Sequence, residues 1–252
     1  MLSANEANRR YFRGAYHTGT HGWSVTEPDP YAVRFLKRVR GWIGASKLRM
    51  RAAPGLMLDR RQTPDGKLLD VGCGEGRHAI AAARLGFKVT AVDYEPMALQ
   101  RANKFARIRR VRGIVFRRAD VLHLPFPEAS FGVVLDYGCL HHQRKSDWPA
   151  YRRSILRVLE PWGFYLLSVF GRKFRLFRRS RRRWHIAYGA YRRWFTPRDI
   201  RGLFGRDFEI VALAEERGKG GGFWHVLMRR RAQTDLDGII GVVHPQARIA
   251  QE

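Results

Sequence analysis

The stretch LLDVGCGEGRHAIAAARLGFKVTAVDYEP, from Leu68 to Pro96, constrains the fold more than any other part of the chain. A short apolar run containing Asp70 breaks at Gly72, Gly74 and Gly76, an alanine-rich segment follows and stops at Gly86, and a second apolar run ends at Asp93. A strand, a glycine turn, a helix and another strand in so short a span form a βαβ unit, and such units make parallel sheets. The alternation then continues. EPMALQRANKFARI reads as a helix with proline in its first turn. GIVFRRAD and FGVVLDYG read as the third and fourth strands, WPAYRRSILRVLEPWG as a helix ended by proline and glycine, and FYLLSVF as the fifth strand. FTPRDIRGLFG is a helix with Pro197 near its start, and FEIVALAEE with FWHVLMRRR forms a closing antiparallel pair. The pattern predicts an α/β fold with a doubly wound, mostly parallel seven-stranded sheet whose last strand pair is antiparallel.

Upstream, residues 1–30 read as a loop or short helix, and from Tyr31 a helix places Val33, Leu36, Val39 and Ile43 on one face. Four segments follow from these breaks: 1–44 as an N-terminal segment and helix, 45–66 as an insertion or linker, 67–231 as the core, and 232–252 as a tail. The core carries a basic, aromatic insertion at 171–195.

The glycine turn and its carboxylates indicate a ligand. In an open α/β sheet ligands sit beyond the carboxyl ends of the strands, and glycines there let a ligand approach the backbone. A dinucleotide fingerprint spaces its glycines GxGxxG. Here the third glycine comes one residue early and Arg77 follows it. Asp93 closes the second strand, where a carboxylate accepts hydrogen bonds from two ribose hydroxyls. The combination reads as a nucleoside site without a pyrophosphate requirement.

Four successive motifs, LLDVGCGEG, VTAVDYEP, RRADVLHLPF and FGVVLDYGCLHH, resemble those of the class I S-adenosylmethionine-dependent methyltransferases, over about residues 66–170. The resemblance implies S-adenosylmethionine as cofactor and the Rossmann-like methyltransferase fold. By it, the turn Gly72–Cys73–Gly74 with Gly76 packs on the methionine and ribose part, Asp70 organises the turn, and Asp93 with its neighbour Tyr94 holds the ribose. Asp120 accepts from the adenine amino group, Val121 packs on the ring, and Asp136 to Leu140, including Tyr137, border the methyl group. HGWSVTEPDPYAVRFL and DYGCLHH are similar to features of the small-molecule members of thiopurine, thiol and tellurite-resistance type. In those a tryptophan-bearing N-terminal segment folds over the cofactor, which makes 1–44 a lid and Trp23 a cofactor contact.

A hydroxyl or ammonium acceptor needs a base whose pKa lies near the working pH, which favours histidine. His141 is the preferred base of the pair His141–His142, with Asp136 beside it in the catalytic set, and His17 in the lid faces the substrate. Trp184 and Tyr188 of the basic insertion are expected to cap the substrate pocket, together with Tyr191 and Trp194. Cys139 reads as a small packing residue rather than a nucleophile.

Charge bears on partners. Lys and Arg number 48 against 22 acids, a formal net charge of +26. Basic residues concentrate in RIRRVRGIVFRR and GRKFRLFRRSRRRW, a field that attracts polyanions. The insertion therefore has three readings: a pocket cap, a single-strand RNA surface, or an amphipathic helix on anionic membrane. The favoured function is methyl transfer onto a small molecule. The alternatives are an RNA methyltransferase and a non-catalytic polyanion-binding module that keeps the cofactor pocket. Two distant cysteines give no disulfide framework or zinc spacing, so no metal is expected. The absence of a secretory leader or an apolar run near the ~20 residues of a membrane span predicts a cytoplasmic protein, and self-repulsion favours a monomer.

Overall fold

The computed structural model describes residues 4–19, 27–52, 64–187, 189–216 and 222–231. Its centre is a seven-stranded sheet. In chain order the sheet strands are β1 (Lys67–Val71), β2 (Lys88–Asp93), β3 (Ile114–Arg118), β4 (Phe131–Tyr137), β5 (Leu159–Phe170), β8 (Phe208–Glu215) and β9 (Phe223–Arg230). A separate hairpin supplies β6 (Trp184–Ala187) and β7 (Ala190–Arg193). The helices are α1 (Ala4–Thr18), α2 (Pro30–Ala52), α3 (Arg77–Arg84), α4 (Pro96–Ile108), α5 (Trp148–Val158) and α6 (Pro197–Phe204).

The sheet order is β3-β2-β1-β4-β5-β9-β8. β1 to β5 pair in parallel, whereas β9 runs antiparallel to both β5 and β8. The direction of winding reverses between β1 and β4, so a crevice opens beyond their carboxyl ends. Alternation along each strand sends neighbours to opposite faces. Leu68, Val133, Leu135, Leu166 and Leu227 pack with Leu36, Val39 and Ile43 of α2 and Ala79 and Ala82 of α3. Leu69, Val71, Val134, Tyr165 and Val226 pack on the other face with Tyr151 and Ile155 of α5 and Ile200 and Phe204 of α6. Helices cover both faces, and this explains why the strands read as apolar runs rather than as alternating patterns.

Local chemistry sets several boundaries. α6 starts at a capping box in which the Thr196 hydroxyl accepts from Asp199 N–H while the Asp199 carboxylate accepts from Thr196 N–H, with Pro197 just inside the helix. α5 stops at Val158, three residues before the Pro161 expected to end it, and the chain enters β5 directly at Leu159. Proline disfavours helical backbone in the residue before it, so Glu160 is already extended.

Three expectations change. The N-terminal segment is a regular 15-residue helix. α2 runs on to Ala52, into the segment read as an insertion. The basic segment forms turns and the β6–β7 hairpin, so an amphipathic membrane helix is not what residues 171–195 build. No helix among the described residues is long and apolar enough to cross a membrane.

Candidate active site

A cavity of about 1390 Å³ lies beyond the carboxyl ends of β1 to β5, with α1 along one side. The three glycines of the first turn all have positive φ (65°, 53° and 80°), which a side chain would strain. A Cβ on Gly72 would stand 2.9 Å from the Cβ of Cys139, so this glycine lets the β1 and β4 turns touch. Gly76 does not line the cavity. A Cβ there would lie 3.0 Å from Ala102 and 3.1 Å from Phe116, so its place is in helix–sheet packing rather than at the ligand.

The cavity wall next to β1, β2 and β3 is polar. Asp93 accepts from Gly74 N–H at 2.9 Å and Glu95 N–H at 3.0 Å, and burial still pushes its carboxyl up to about 6. Burial, reinforced by Asp136 and Asp93, raises Asp70 well above the usual carboxylate range. The Asp70 Oδ2 and the Tyr94 hydroxyl are buried with no hydrogen-bond partner among the described residues, and both residues line the cavity. Unpaired buried polar atoms of this kind match a ligand rich in hydroxyl and ammonium groups. Asp120 accepts from Leu122 N–H at 2.9 Å and pairs with Arg9 at 2.7 Å, beside the buried Val121. Cys73 is buried next to the turn.

α1 lies along the cavity and is fastened to its rim. Asn8 bridges two walls, donating to the His142 carbonyl at 2.9 Å and accepting from Tyr191 N–H at 2.7 Å. Phe12 packs edge-on to Tyr94 and to His142, at 6.2 and 4.9 Å between ring centres. Arg101 of α4 donates to the Tyr16 carbonyl at 2.6 Å and to Glu75 at 2.9 Å. These contacts tie α1 to the exits of β2, β3 and β4 and to β7. The sequence placed a lid within 1–44 on its tryptophan-bearing stretch, whereas the residues that line the cavity include Tyr11, Phe12 and Tyr16 of α1. Trp23 and Tyr188 lie outside the described residues.

The wall next to β4, β5 and β9 is aromatic. His141 stacks on Phe170 with centres 3.6 Å apart and planes 15° apart, and Phe170 stacks on Phe174 at 4.1 Å. Phe223 and Tyr137 lie 5.4 Å apart and complete the wall. His141 Nδ1 accepts from Phe170 N–H at 3.3 Å, so in the neutral ring Nε2 carries the proton and is a donor. His142 has the opposite tautomer, because its Nδ1 faces the Tyr191 carbonyl at 2.8 Å and must donate. Burial holds His141 well below the usual histidine range and pushes His142 down to about 3. At neutral pH both rings are uncharged, and His141 lacks the free lone pair expected of a base.

Three further assignments move. Asp136 does not touch the cavity. It is fully buried, accepting from Cys139 N–H at 2.7 Å, from Leu140 N–H at 2.9 Å and from the Tyr151 hydroxyl, and so it positions the β4 turn. His17 is exposed and outside the lining, which its neighbour Tyr16 joins instead. Trp184 is 42% exposed on the hairpin and stacks on Tyr191 (6.1 Å), away from the cavity, and Trp194 packs with Phe170 and Phe177 rather than lining it. Tyr137 does line it, and its hydroxyl donates to Asp29 at 3.1 Å. Asp29, which also accepts from Tyr31 and Ala32 N–H at the start of α2, gave no signal in the sequence. Among the described residues no group of His, Cys, Asp and Glu could hold a metal ion.

Residues 68–163 match the family model described as a methyltransferase domain. The chain is 33% identical over 152 residues to a putative methyltransferase of Encephalitozoon cuniculi, covering 58% of this chain and 67% of that protein. It is 30% identical over 148 residues to the 2-heptyl-1-hydroxyquinolin-4(1H)-one methyltransferase of Mycobacteroides abscessus, covering 59% of this chain and 55% of that one. The chain spans about half the length of several curated relatives it matches. Among solved structures, the 1,6-didemethyltoxoflavin-N1-methyltransferase of Burkholderia thailandensis shares the fold, with a TM-score of 0.63 and 24% identity over 92% of both chains. The chain belongs to the class I S-adenosylmethionine-dependent methyltransferases. The cofactor of that family is S-adenosylmethionine, and the unpaired Asp70 and Tyr94 atoms beside the open glycine turn fit it.

Proposed function

We propose that the protein transfers a methyl group from S-adenosylmethionine to a small-molecule nucleophile. The observation that carries this reading is one continuous cavity, part polar and part aromatic, with the α1 lid along it. At about 1390 Å³ it exceeds the roughly 300–1,000 Å³ of an ordinary one-ligand pocket, room for a cofactor and an acceptor together. A lid held at three strand exits and at β7 suits an acceptor that fits inside the molecule better than it suits an RNA or a folded protein.

When bound, S-adenosylmethionine supplies an electrophilic methyl group on a sulfonium. In this reading Asp93 accepts from the ribose hydroxyls and Asp70 faces the charged amino-acid end. Asp120 meets the adenine edge through a lone pair left by its bonds to Leu122 and Arg9, and Val121 packs on the ring. Asp136 fixes the turn that carries Cys139 and Leu140. α1 excludes water, and the work of the remaining residues is orientation in a dry site. The names of the quinolone and toxoflavin relatives, both heterocycle methyltransferases, add support.

The test incubates the protein and Asp93→Ala with methyl-labelled S-adenosylmethionine and cell extract, followed by fractionation into small molecules, RNA, protein and lipid. Label in the small-molecule fraction that depends on Asp93 supports the reading. Label in RNA overturns the acceptor and makes the arginine-rich surface the docking site, and cofactor binding with no transfer points to a binding module.

A further inference from the structure

Charge is distributed unevenly along the cavity. Its carboxylates, Asp70, Glu75, Asp93 and Asp120, all lie in or just after β1, β2 or β3. The opposite end, built after β4 and β5 and at the start of β9, has none among its described lining residues. Its titratable or charged groups are Tyr137, Cys139, His141, His142, Arg175 and Arg192. Burial raises the Tyr137 hydroxyl and the Cys139 thiol, so neither becomes an anion near neutral pH, and both histidines stay uncharged. Among the described lining residues of this end the fixed charges are therefore cationic, Arg77 standing 5.0 Å from the Tyr137 ring, while Asp29 lies behind the wall, held by the Tyr137 hydroxyl. Arg192 is engaged by the Tyr11 hydroxyl at 2.9 Å. Arg175 is exposed, lines the cavity and makes no ion pair or hydrogen bond among the described residues.

The same end is walled by aromatic rings, with Phe170 held between His141 and Phe174 and the outer rings turned to the cavity. Phe170 and Phe174 stack at 4.1 Å, and Phe223 meets Phe174 edge-on at 5.4 Å. Flat apolar walls select flat apolar ligands, and burying an anion against them costs free energy unless a donor or cation compensates it. Resting on the methyltransferase reading, we propose that the acceptor is a planar aromatic or heteroaromatic acid, bound as its oxyanion against Phe170, Phe174 and Phe223, with Arg175 and the His141 N–H as its charge partners. An acceptor that has already lost its proton to solvent leaves none for the chain to remove. This accounts for an acceptor end whose two histidines are neutral and too weakly basic to deprotonate an alcohol or an ammonium group.

The test uses 7-hydroxycoumarin, whose phenol and phenolate absorb at different wavelengths, and 7-methoxycoumarin as the uncharged control, with the full chain saturated with S-adenosylhomocysteine. Calorimetry of S-adenosylhomocysteine comes first, and its failure to bind would sink the methyltransferase reading independently of the acceptor. With that binding in place, the phenolate band of bound 7-hydroxycoumarin should appear at lower pH than in free solution. Its phenolate should bind about tenfold more tightly than 7-methoxycoumarin. Arg175→Glu should abolish both differences while leaving S-adenosylhomocysteine binding intact, and Phe174→Ala should weaken both coumarins together. Equal binding of the two coumarins, a bound phenol that stays protonated, or no binding of either beside normal S-adenosylhomocysteine binding each overturns the proposal.

Discussion

The two ends of the cavity are built differently. The polar end is made from turns that follow three strands in succession, and its named residues all fall between Asp70 and Leu122. The aromatic end gathers 137–143, 170–176, Arg192 and Phe223, with Asn8 to Tyr16 of the lid against it. One end presents carboxylates and backbone at fixed short spacings. The other presents aromatic rings brought together by the sheet order, which inserts β9 between β5 and β8. A compact motif can specify the first kind of site, whereas the second exists only once the whole sheet has formed.

Five measurements would break or sharpen this contrast. The largest effect should come from Asp136→Ala, which strands the N–H groups of Cys139 and Leu140 and the Tyr151 hydroxyl in a buried place. Denaturant unfolding should show a loss of about 3 kcal/mol, and an unchanged stability would remove Asp136 from its positioning role. Next, Asp93→Ala should weaken S-adenosylhomocysteine by about a hundredfold in calorimetry while 7-hydroxycoumarin still binds. Equal loss of both ligands would mean that the two ends are not separable.

The Asp93 carboxyl, raised by burial to about 6, is ionised only above that pH. S-adenosylhomocysteine affinity should therefore fall by about tenfold between pH 7 and pH 5, and a flat profile would contradict the ribose assignment. At the aromatic end the sign for stability runs the other way from that of the carboxylates. His142 is lowered to about 3, so below about 6.5 the unfolded chain takes up a proton that the folded chain refuses, and stability falls with pH. Asp93 and Asp136, both raised to about 6, favour the folded state at low pH and lose that contribution as pH rises through 6. His142→Gln should isolate the histidine contribution, reducing the stability difference between pH 7 and pH 5.5 by about 1 kcal/mol. The smallest effect should be that of Phe12→Ala. The lid touches both ends, so both S-adenosylhomocysteine and the coumarin probe should weaken by about threefold, and a loss confined to one ligand would divide the lid between them.

Legibility in the sequence followed the same contrast. Gly72, Gly74, Asp93 and Asp120, singled out in the sequence as a ligand-facing set, do line one cavity, because the spacing along one chain segment brings them to neighbouring strand ends. The seven strands could be read because apolar runs alternate with amphipathic helices. Asp136 looked catalytic because it stands beside the β4 turn in sequence, yet its carboxylate points beneath that turn to Tyr151. His141 looked like a base until the β5 backbone took its Nδ1. Trp184 and Trp194 had the composition of a pocket cap, but a hairpin turns Trp184 outward and Trp194 packs with Phe177. The sequence offered a lid somewhere in 1–44, but not that α1 is the part of it lying along the cavity. Its partners, His142, Tyr191 and Arg101, lie far along the chain.

The sequence by itself determined the βαβ frame, the glycine turn and the carboxylates of the polar end, because each depends on backbone periodicity and neighbours a few residues apart. The tertiary structure decided the tautomers of the two histidines, the pairing of Tyr137 with Asp29, the aromatic wall and the lid. Each of these is a contact between segments remote in sequence, fixed by strand order and by burial rather than by any local preference of the residues involved.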